Sequence, residues 1–93
     1  MGKRQGPNTV QLNRLYMFYK VAQHKSFTQA ALELGVSPSV MSYNIDVLEK
    51  EHGALFELSR GHEMRNPDRL TPAGARLLCK IKRSLKALEG VIL

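Results

Sequence analysis

A mainly helical fold is predicted, with three packed helices, a short two-stranded wing and a long final helix, and three observations predict it. Ser26 to Gly53 punctuates as two capped helices joined by a tight turn. Leu55, Phe56 and Leu58 follow Gly53 without helical spacing and lead into a polar stretch, Ser59 to Arg69. Behind Thr71 and Pro72, the residues Leu78, Ile81, Leu85, Leu88 and Ile92 step by 3, 4, 3 and 4, the spacing of a coiled-coil seam. Together these describe a winged helix-turn-helix followed by a dimerisation or linker helix. The expected divisions are a flexible basic arm at 1–9, the winged helix-turn-helix at 10–71 and the last helix at 72–93.

Each element has its own justification. Met1 to Pro7 combines Gly, Pro and basic residues, the composition of a loose terminus. Helix one is expected from about Val10 or Gln11 to His24, with Leu12, Leu15, Phe18, Val21 and Ala22 facing inward. Ser26 is the N-cap of a short second helix packed through Ala30, Ala31 and Leu34. Small alanines let two helices cross closely. Gly35 falls where a helix end wants positive φ, Val36 fills the turn, Ser37 caps the third helix and Pro38 takes its N1 position.

The third helix, about Pro38 to His52, carries two stripes. Met41, Ile45 and Leu48 recur at i, i+4, i+7 and belong to the core. Ser39, Ser42, Tyr43 and Asp46 form a second stripe pointing away from it. A merely solvated face usually carries long Lys and Glu chains, as Glu49, Lys50 and Glu51 do further on. Short hydroxyls instead allow a helix to lie deep in a DNA major groove. Leu55, Phe56 and Leu58 then suggest a short strand, Ser59 to Arg69 a polar loop, and Leu70 the start of a return strand or the turn before the last helix. That helix starts with Thr71 as N-cap and Pro72 at N1.

Composition narrows the class. Ninety-three residues make one domain with a modest core. The formal charge of +6 favours a polyanionic partner, but its distribution is uneven. Lys3, Arg4, Arg14, Lys20 and Lys25 precede the helix-turn-helix, and Arg76, Lys80, Lys82, Arg83 and Lys86 follow it. Between Thr28 and Leu58 only Lys50 stands against Glu33, Asp46, Glu49, Glu51 and Glu57. The reading helix is locally acidic, so attraction to phosphates has to come from its surroundings. The lone Cys79 excludes an intramolecular disulfide framework and suits a reducing compartment. Its apolar helical setting makes it an expected core residue.

No apolar run reaches the roughly 18 residues of a membrane span, and MGKRQGPNTVQ has no hydrophobic region of a signal peptide. A cytoplasmic location is expected. His24, His52 and His62 sit at no metal-ligand spacing, Glu49 and Glu51 face different sides of one helix, and no nucleophile or phosphate-loop motif occurs. Neither catalysis nor a cofactor is expected. Tyr43 is the only aromatic on the proposed reading face, too few for the stacking platforms of an RNA binder. The alternative is a coiled-coil adaptor using the Leu78 to Ile92 seam, and binding to duplex DNA with steep salt dependence separates the two.

LxxLxxF at Leu12, Leu15 and Phe18, then SFTQAA, VS with Ser42 and Ile45, LE before a Gly, LF at Leu55 and Phe56, and LTPAG from Leu70 to Gly74 stand in order. This series resembles the N-terminal domain of LysR-type transcriptional regulators, from Leu12 to about Leu88. Molybdate-dependent regulators have a similar winged domain. The resemblance implies double-stranded DNA as partner and a homodimer through the last helix, paired antiparallel so that two heads read an interrupted palindrome. A small-molecule effector is implied only if a C-terminal domain exists outside this chain.

Residue by residue, the resemblance implies DNA contacts from Ser26, Thr28, Ser37, Pro38, Ser39, Ser42, Tyr43 and Asp46, with Ser42 holding a phosphate. The family commonly has Gln where Pro38 stands and Arg or Gln where Tyr43 stands, so base preference is expected to differ. Asp46 can accept from a cytosine amino group or repel phosphates. The wing loop is longer than in the family and holds Arg60, Arg65 and Arg69. Arg65, expected near the tip, would enter the minor groove or hold flanking backbone. Leu78, Ile81, Leu85, Leu88 and Ile92 would form the dimer seam and bury little within their own domain.

Overall fold

The computed structural model describes residues 9–61 and 64–92, with side chains placed for 10–61 and 64–87. The expected arm at 1–9 lies, apart from the backbone of Thr9, outside the described residues. The elements are α1 (Thr9–His24), α2 (Phe27–Leu34), α3 (Pro38–His52), β1 (Phe56–Leu58), β2 (Arg65–Leu70) and α4 (Pro72–Ile92). This is the mainly helical, winged helix-turn-helix architecture read from the sequence.

The capping residues fix the helix-turn-helix locally. Ser26 is extended (φ −163°, ψ 125°) and its hydroxyl oxygen accepts from the Gln29 N–H at 3.0 Å, satisfying one of the donors a helix start leaves open. Gly35 ends α2 at φ 70°, and the Val36 N–H reaches back to the Ala31 carbonyl at 3.0 Å. Ser37 repeats the cap on α3, accepting from the Val40 N–H at 3.1 Å, with Pro38 in the first turn. Ala30 and Ala31 of α2 are buried, as are Met41, Ile45 and Leu48 of α3.

The core gathers these residues with Phe18 and Val21 of α1, Leu55, Phe56 of β1 and Ile81 of α4. Phe18 and Phe56 meet edge to face, with ring centroids 5.4 Å apart. Helix α1 departs from expectation at one end. Leu12 is 52% exposed, because α1 and α4 do not close over it. With Leu15, Tyr16, Leu77, Ile81 and Leu85 it lines an open groove of about 520 Å³ between α1 and α4.

The wing is an antiparallel ribbon pairing Phe56 with Leu70 and Leu58 with Arg65, with a bulge between the two pairs. The segment expected to be a loop up to Arg69 is therefore strand from Arg65 onward, and Leu70 ends that strand rather than beginning one. Polar residues and Pro67 are tolerated there because each strand of a two-stranded ribbon is an edge strand. The Ser59 N–H donates to the Met64 carbonyl at 2.8 Å, and Gly61 turns at φ 72°.

Helix α4 is anchored at its start. The Thr71 hydroxyl accepts from the Gly74 N–H and donates to the Ala54 carbonyl, while the Thr71 N–H donates to the Leu55 carbonyl at 3.0 Å. Gly74 rides against that same peptide, and a Cβ placed on it would sit 2.1 Å from the Leu55 oxygen. Two expectations change along this helix. Ile81 is buried, and Leu78 and Leu85 are half-buried against the core, so the expected seam turns partly into its own domain. The side chains of Leu88 and Ile92 lie outside the described residues. Cys79 is exposed rather than core, since two positions from Ile81 put it on the opposite side of the helix.

Candidate nucleic-acid interface

The outer face of α3 carries the stripe the sequence singles out. Pro38, Ser39, Tyr43 and Asp46 are exposed and Ser42 is half-buried. Ser37 and Ser26 stand at the N-termini of α3 and α2, where helix dipoles favour negative charge. Each hydroxyl oxygen accepts one backbone N–H, which leaves its hydrogen to donate outward. Thr28 is exposed in the first turn of α2. Val40, which the stripe reading passed over, is 43% exposed on the same helix. Its i, i+3 spacing to Tyr43 was the available signal.

The wing does not supply free arginines in the expected way. Arg65 opens β2 opposite Leu58, beside the turn closed by Ser59 and Met64 as expected, but it folds back onto α3. Its Nε donates to Glu49 Oε1 at 2.8 Å and its Nη2 to Asp46 Oδ1. The other Glu49 oxygen accepts from the backbone N–H groups of Leu55 at 2.7 Å and Phe56 at 3.3 Å. One carboxylate thus ties the third helix to both strands of the wing. Burial pushes the Arg65 guanidinium below the usual arginine value. Arg69 pairs with Glu57 across the ribbon at 3.1 Å, and Arg60 is exposed in the turn.

The same pattern settles the acidity of the reading region. Glu33 is bridged by Lys20 at 2.8 Å and His24 at 2.5 Å. The hydrogen bond from Lys20, then that from His24, holds the Glu33 carboxyl below its ordinary range, and the Glu33 bond raises Lys20. Lys20 also lies over the rings of Tyr16 and Tyr19 at 5.5 and 5.7 Å. Glu51 has His52 at 3.9 Å. Each acid between Thr28 and Leu58 therefore has a basic neighbour. Exposed pairs of this kind add little stability, but they lower the negative field in front of α3. Among the described residues, no ion pair engages Lys25, Lys50, Arg60, Arg76, Lys80, Lys82, Arg83 or Lys86.

Asn44 is also spoken for. Its Oδ1 accepts from Arg14 Nε at 2.9 Å and its Nδ2 donates to the Val40 carbonyl at 2.8 Å. Arg14 thereby braces α1 against α3, a role the sequence did not indicate. Among the described residues no group of three His, Cys, Asp or Glu side chains could hold a metal ion, and no helix is long and apolar enough to cross a membrane.

With a capped helix-turn-helix, a wing and an outward hydroxyl stripe in place, the class of the chain follows, and sequence comparison agrees. The chain belongs to the lysR family of bacterial regulatory helix-turn-helix proteins, whose family profile matches residues 12–75. It is 38% identical over 86 residues to the HTH-type transcriptional regulator DsdC of Escherichia coli, covering 92% of this chain and 26% of DsdC. It is 36% identical over 85 residues to the HTH-type transcriptional regulator PtxR of Pseudomonas aeruginosa, covering 91% of this chain and 26% of PtxR. The chain thus spans about a quarter of the length of these relatives.

The fold is similar to that of the BenM DNA-binding domain in its complex with catB site 1 DNA. The TM-score is 0.71 at 30% identity, covering 87% of this chain and 83% of that one. Full-length OxyR from Pseudomonas aeruginosa matches with a TM-score of 0.68 at 28% identity, over 91% of this chain and 27% of OxyR.

Proposed function

We propose that this chain is the duplex-DNA-reading part of a transcriptional regulator. Helix α3 lies in the major groove, the wing sits beside the flanking backbone or minor groove, and two copies bind an interrupted palindrome. The observation that carries this reading is the exposed stripe from Pro38 to Asp46, set at the positive ends of two capped helices, with the surrounding acids paired internally. The likeness to a DNA-binding domain in complex with DNA supports it.

In this arrangement Ser26, Thr28, Ser37 and Ser42 donate to phosphates, while Pro38, Ser39 and Tyr43 face base edges. Arg60 and Arg69 lie outward on the wing, and Arg65 acts through Asp46 and Glu49 rather than through DNA. The homodimer uses α4, with the groove of Leu12, Leu15, Tyr16, Leu77, Ile81 and Leu85 taking part beside the expected seam. Pairing the helices antiparallel places the two heads about one DNA turn apart, roughly 34–36 Å. The role is binding without catalysis in the cytoplasm, and any small-molecule effector acts through a domain outside this chain.

Fluorescence anisotropy on labelled duplex at low and moderate salt, combined with sedimentation equilibrium, tests the reading. Binding that weakens steeply as salt rises, by a species of dimer mass, is the expected result. No duplex binding at low salt overturns the DNA reading, and a species that stays monomeric on DNA overturns the dimer.

A further inference from the structure

Most direct readout of purines uses a long polar side chain that bonds two atoms of one base edge: Arg or Lys for guanine, Asn or Gln for adenine. The outer face of α3 from Pro38 to Asp46 has no such group at liberty. Asn44 is the only residue of those types in the segment, and both ends of its amide are held, by Arg14 and by the Val40 carbonyl. Asp46, which can accept from a cytosine amino group, is held by Arg65. What remains is hydroxyl and apolar surface. Val40 is 43% exposed and Tyr43 is 59% exposed, and they stand one turn apart on the same side of the helix, with Pro38 at its start.

The apolar group that a base edge offers in the major groove is the 5-methyl of thymine. Resting on the reading that α3 enters that groove, we infer that this chain selects its half-site through thymine methyl groups packed against Val40 and Tyr43. Purine hydrogen bonds carry little of the choice. The ligand class is a half-site with thymines at the positions facing these two side chains. Clamping Asp46 with Arg65 serves the same end, since a free carboxylate beside Tyr43 would need a cytosine amino group or water as partner.

The test begins with selection of duplexes from a random pool by the intact chain. Each thymine of the selected site is then replaced by deoxyuridine, which pairs identically but lacks the methyl group. One methyl group removed from such a contact is expected to weaken binding about fourfold, the worth of one buried methyl. In Val40→Ala and Tyr43→Ala the deoxyuridine penalty should shrink at the matching position, although both variants still bind duplex at low salt. Replacing purines by their 7-deaza forms, which lack the N7 acceptor, should cost less than the loss of the methyls. A selected site that tolerates deoxyuridine throughout, or one more sensitive to 7-deazapurines, overturns this inference and leaves DNA reading standing. Failure of the chain to bind any duplex at low salt overturns both.

Discussion

In the helix-turn-helix the caps join atoms three positions apart, Ser26 to Gln29 and Ser37 to Val40. In the wing and at the start of α4 the bonds span much more chain: 6 positions from Glu49 to Leu55, 16 from Glu49 to Arg65, 17 from Ala54 to Thr71 and 19 from Asp46 to Arg65. The difference shows where the geometry of reading is set. Each local cap is replaceable at about 1 kcal/mol and acts alone. The wing instead depends on shared groups, since the Glu49 carboxylate serves two backbone N–H groups and Arg65 at once. Losses there are concerted, and they move the wing relative to α3.

The largest expected effect strikes the shared half of the molecule at Gly74. A Cβ at this position would lie 2.1 Å from the Leu55 oxygen and 3.0 Å from the Leu55 carbonyl carbon. Both are backbone atoms that cannot rotate aside. In Gly74→Ala the first turn of α4 has to move off the wing, lengthening the bond from the Thr71 N–H to the Leu55 carbonyl. Overpacking of this kind costs about 2–3 kcal/mol, or roughly 10–20 °C in the melting temperature of a domain this size. Alanine is otherwise the better helix former, so a melting temperature equal to or above that of the parent, at fixed protein concentration, refutes the close approach.

Next in size is Arg65→Met, which keeps a long apolar stem and removes the charge. Losing charge-assisted hydrogen bonds to two carboxylates should cost about 1–3 kcal/mol in urea unfolding. It should also weaken duplex binding, because Asp46 and Glu49 then stand uncompensated behind the reading face. The double variant Arg65→Met with Asp46→Asn separates the causes. If Arg65 acts by masking Asp46, duplex affinity returns in the double variant while stability stays low. Affinity that stays low in both means that masking Asp46 is not its role, and that Arg65 acts through Glu49 and the wing or on the DNA itself.

The legibility of the sequence divides along the same line. Ser26, Gly35, Ser37, Pro38 and Thr71 announce their roles because a cap needs only its immediate neighbours, and all five stand where those rules place them. A return strand was expected, but the bounds of β2 were not legible because Arg65–Leu70, RNPDRL, lacks apolar alternation. Its place depends on Phe56, Leu58 and Glu49, which the local pattern does not contain. Leu12 and Cys79 were misplaced for a related reason: periodicity identifies a stripe but not how much of it the neighbouring elements cover. At the candidate site the outward stripe of α3 was legible from spacing. The pairing of Lys20 with Glu33 and of Arg65 with Asp46 was not, and those pairings decide which charges remain for a partner.

The smallest expected effect sharpens the local side of the comparison, because the two turns flanking α2 share one geometry but place different residues, Lys25 and Gly35, in the left-handed position. After α1, the Ser26 N–H reaches back to the Val21 carbonyl at 3.3 Å around Lys25 at φ 55°. After α2, the Val36 N–H reaches back to the Ala31 carbonyl at 3.0 Å around Gly35 at φ 70°. A side chain in the left-handed region costs about 1–2 kcal/mol, and glycine avoids that cost while adding about 0.4–1 kcal/mol of freedom to the unfolded chain. Lys25→Gly should therefore stabilise by only about 0.5–1 kcal/mol, and Lys25→Asn, which tolerates this conformation with less unfolded freedom, by a similar amount. Both variants also delete an exposed cation just ahead of the α2 N-terminus. If Lys25 stands at a phosphate, each should flatten the slope of log affinity against log salt by about 1 per protomer while the fold gains stability. Stability unchanged or lowered in both variants means the left-handed turn carries no strain, and an unchanged slope with higher stability places Lys25 away from the DNA.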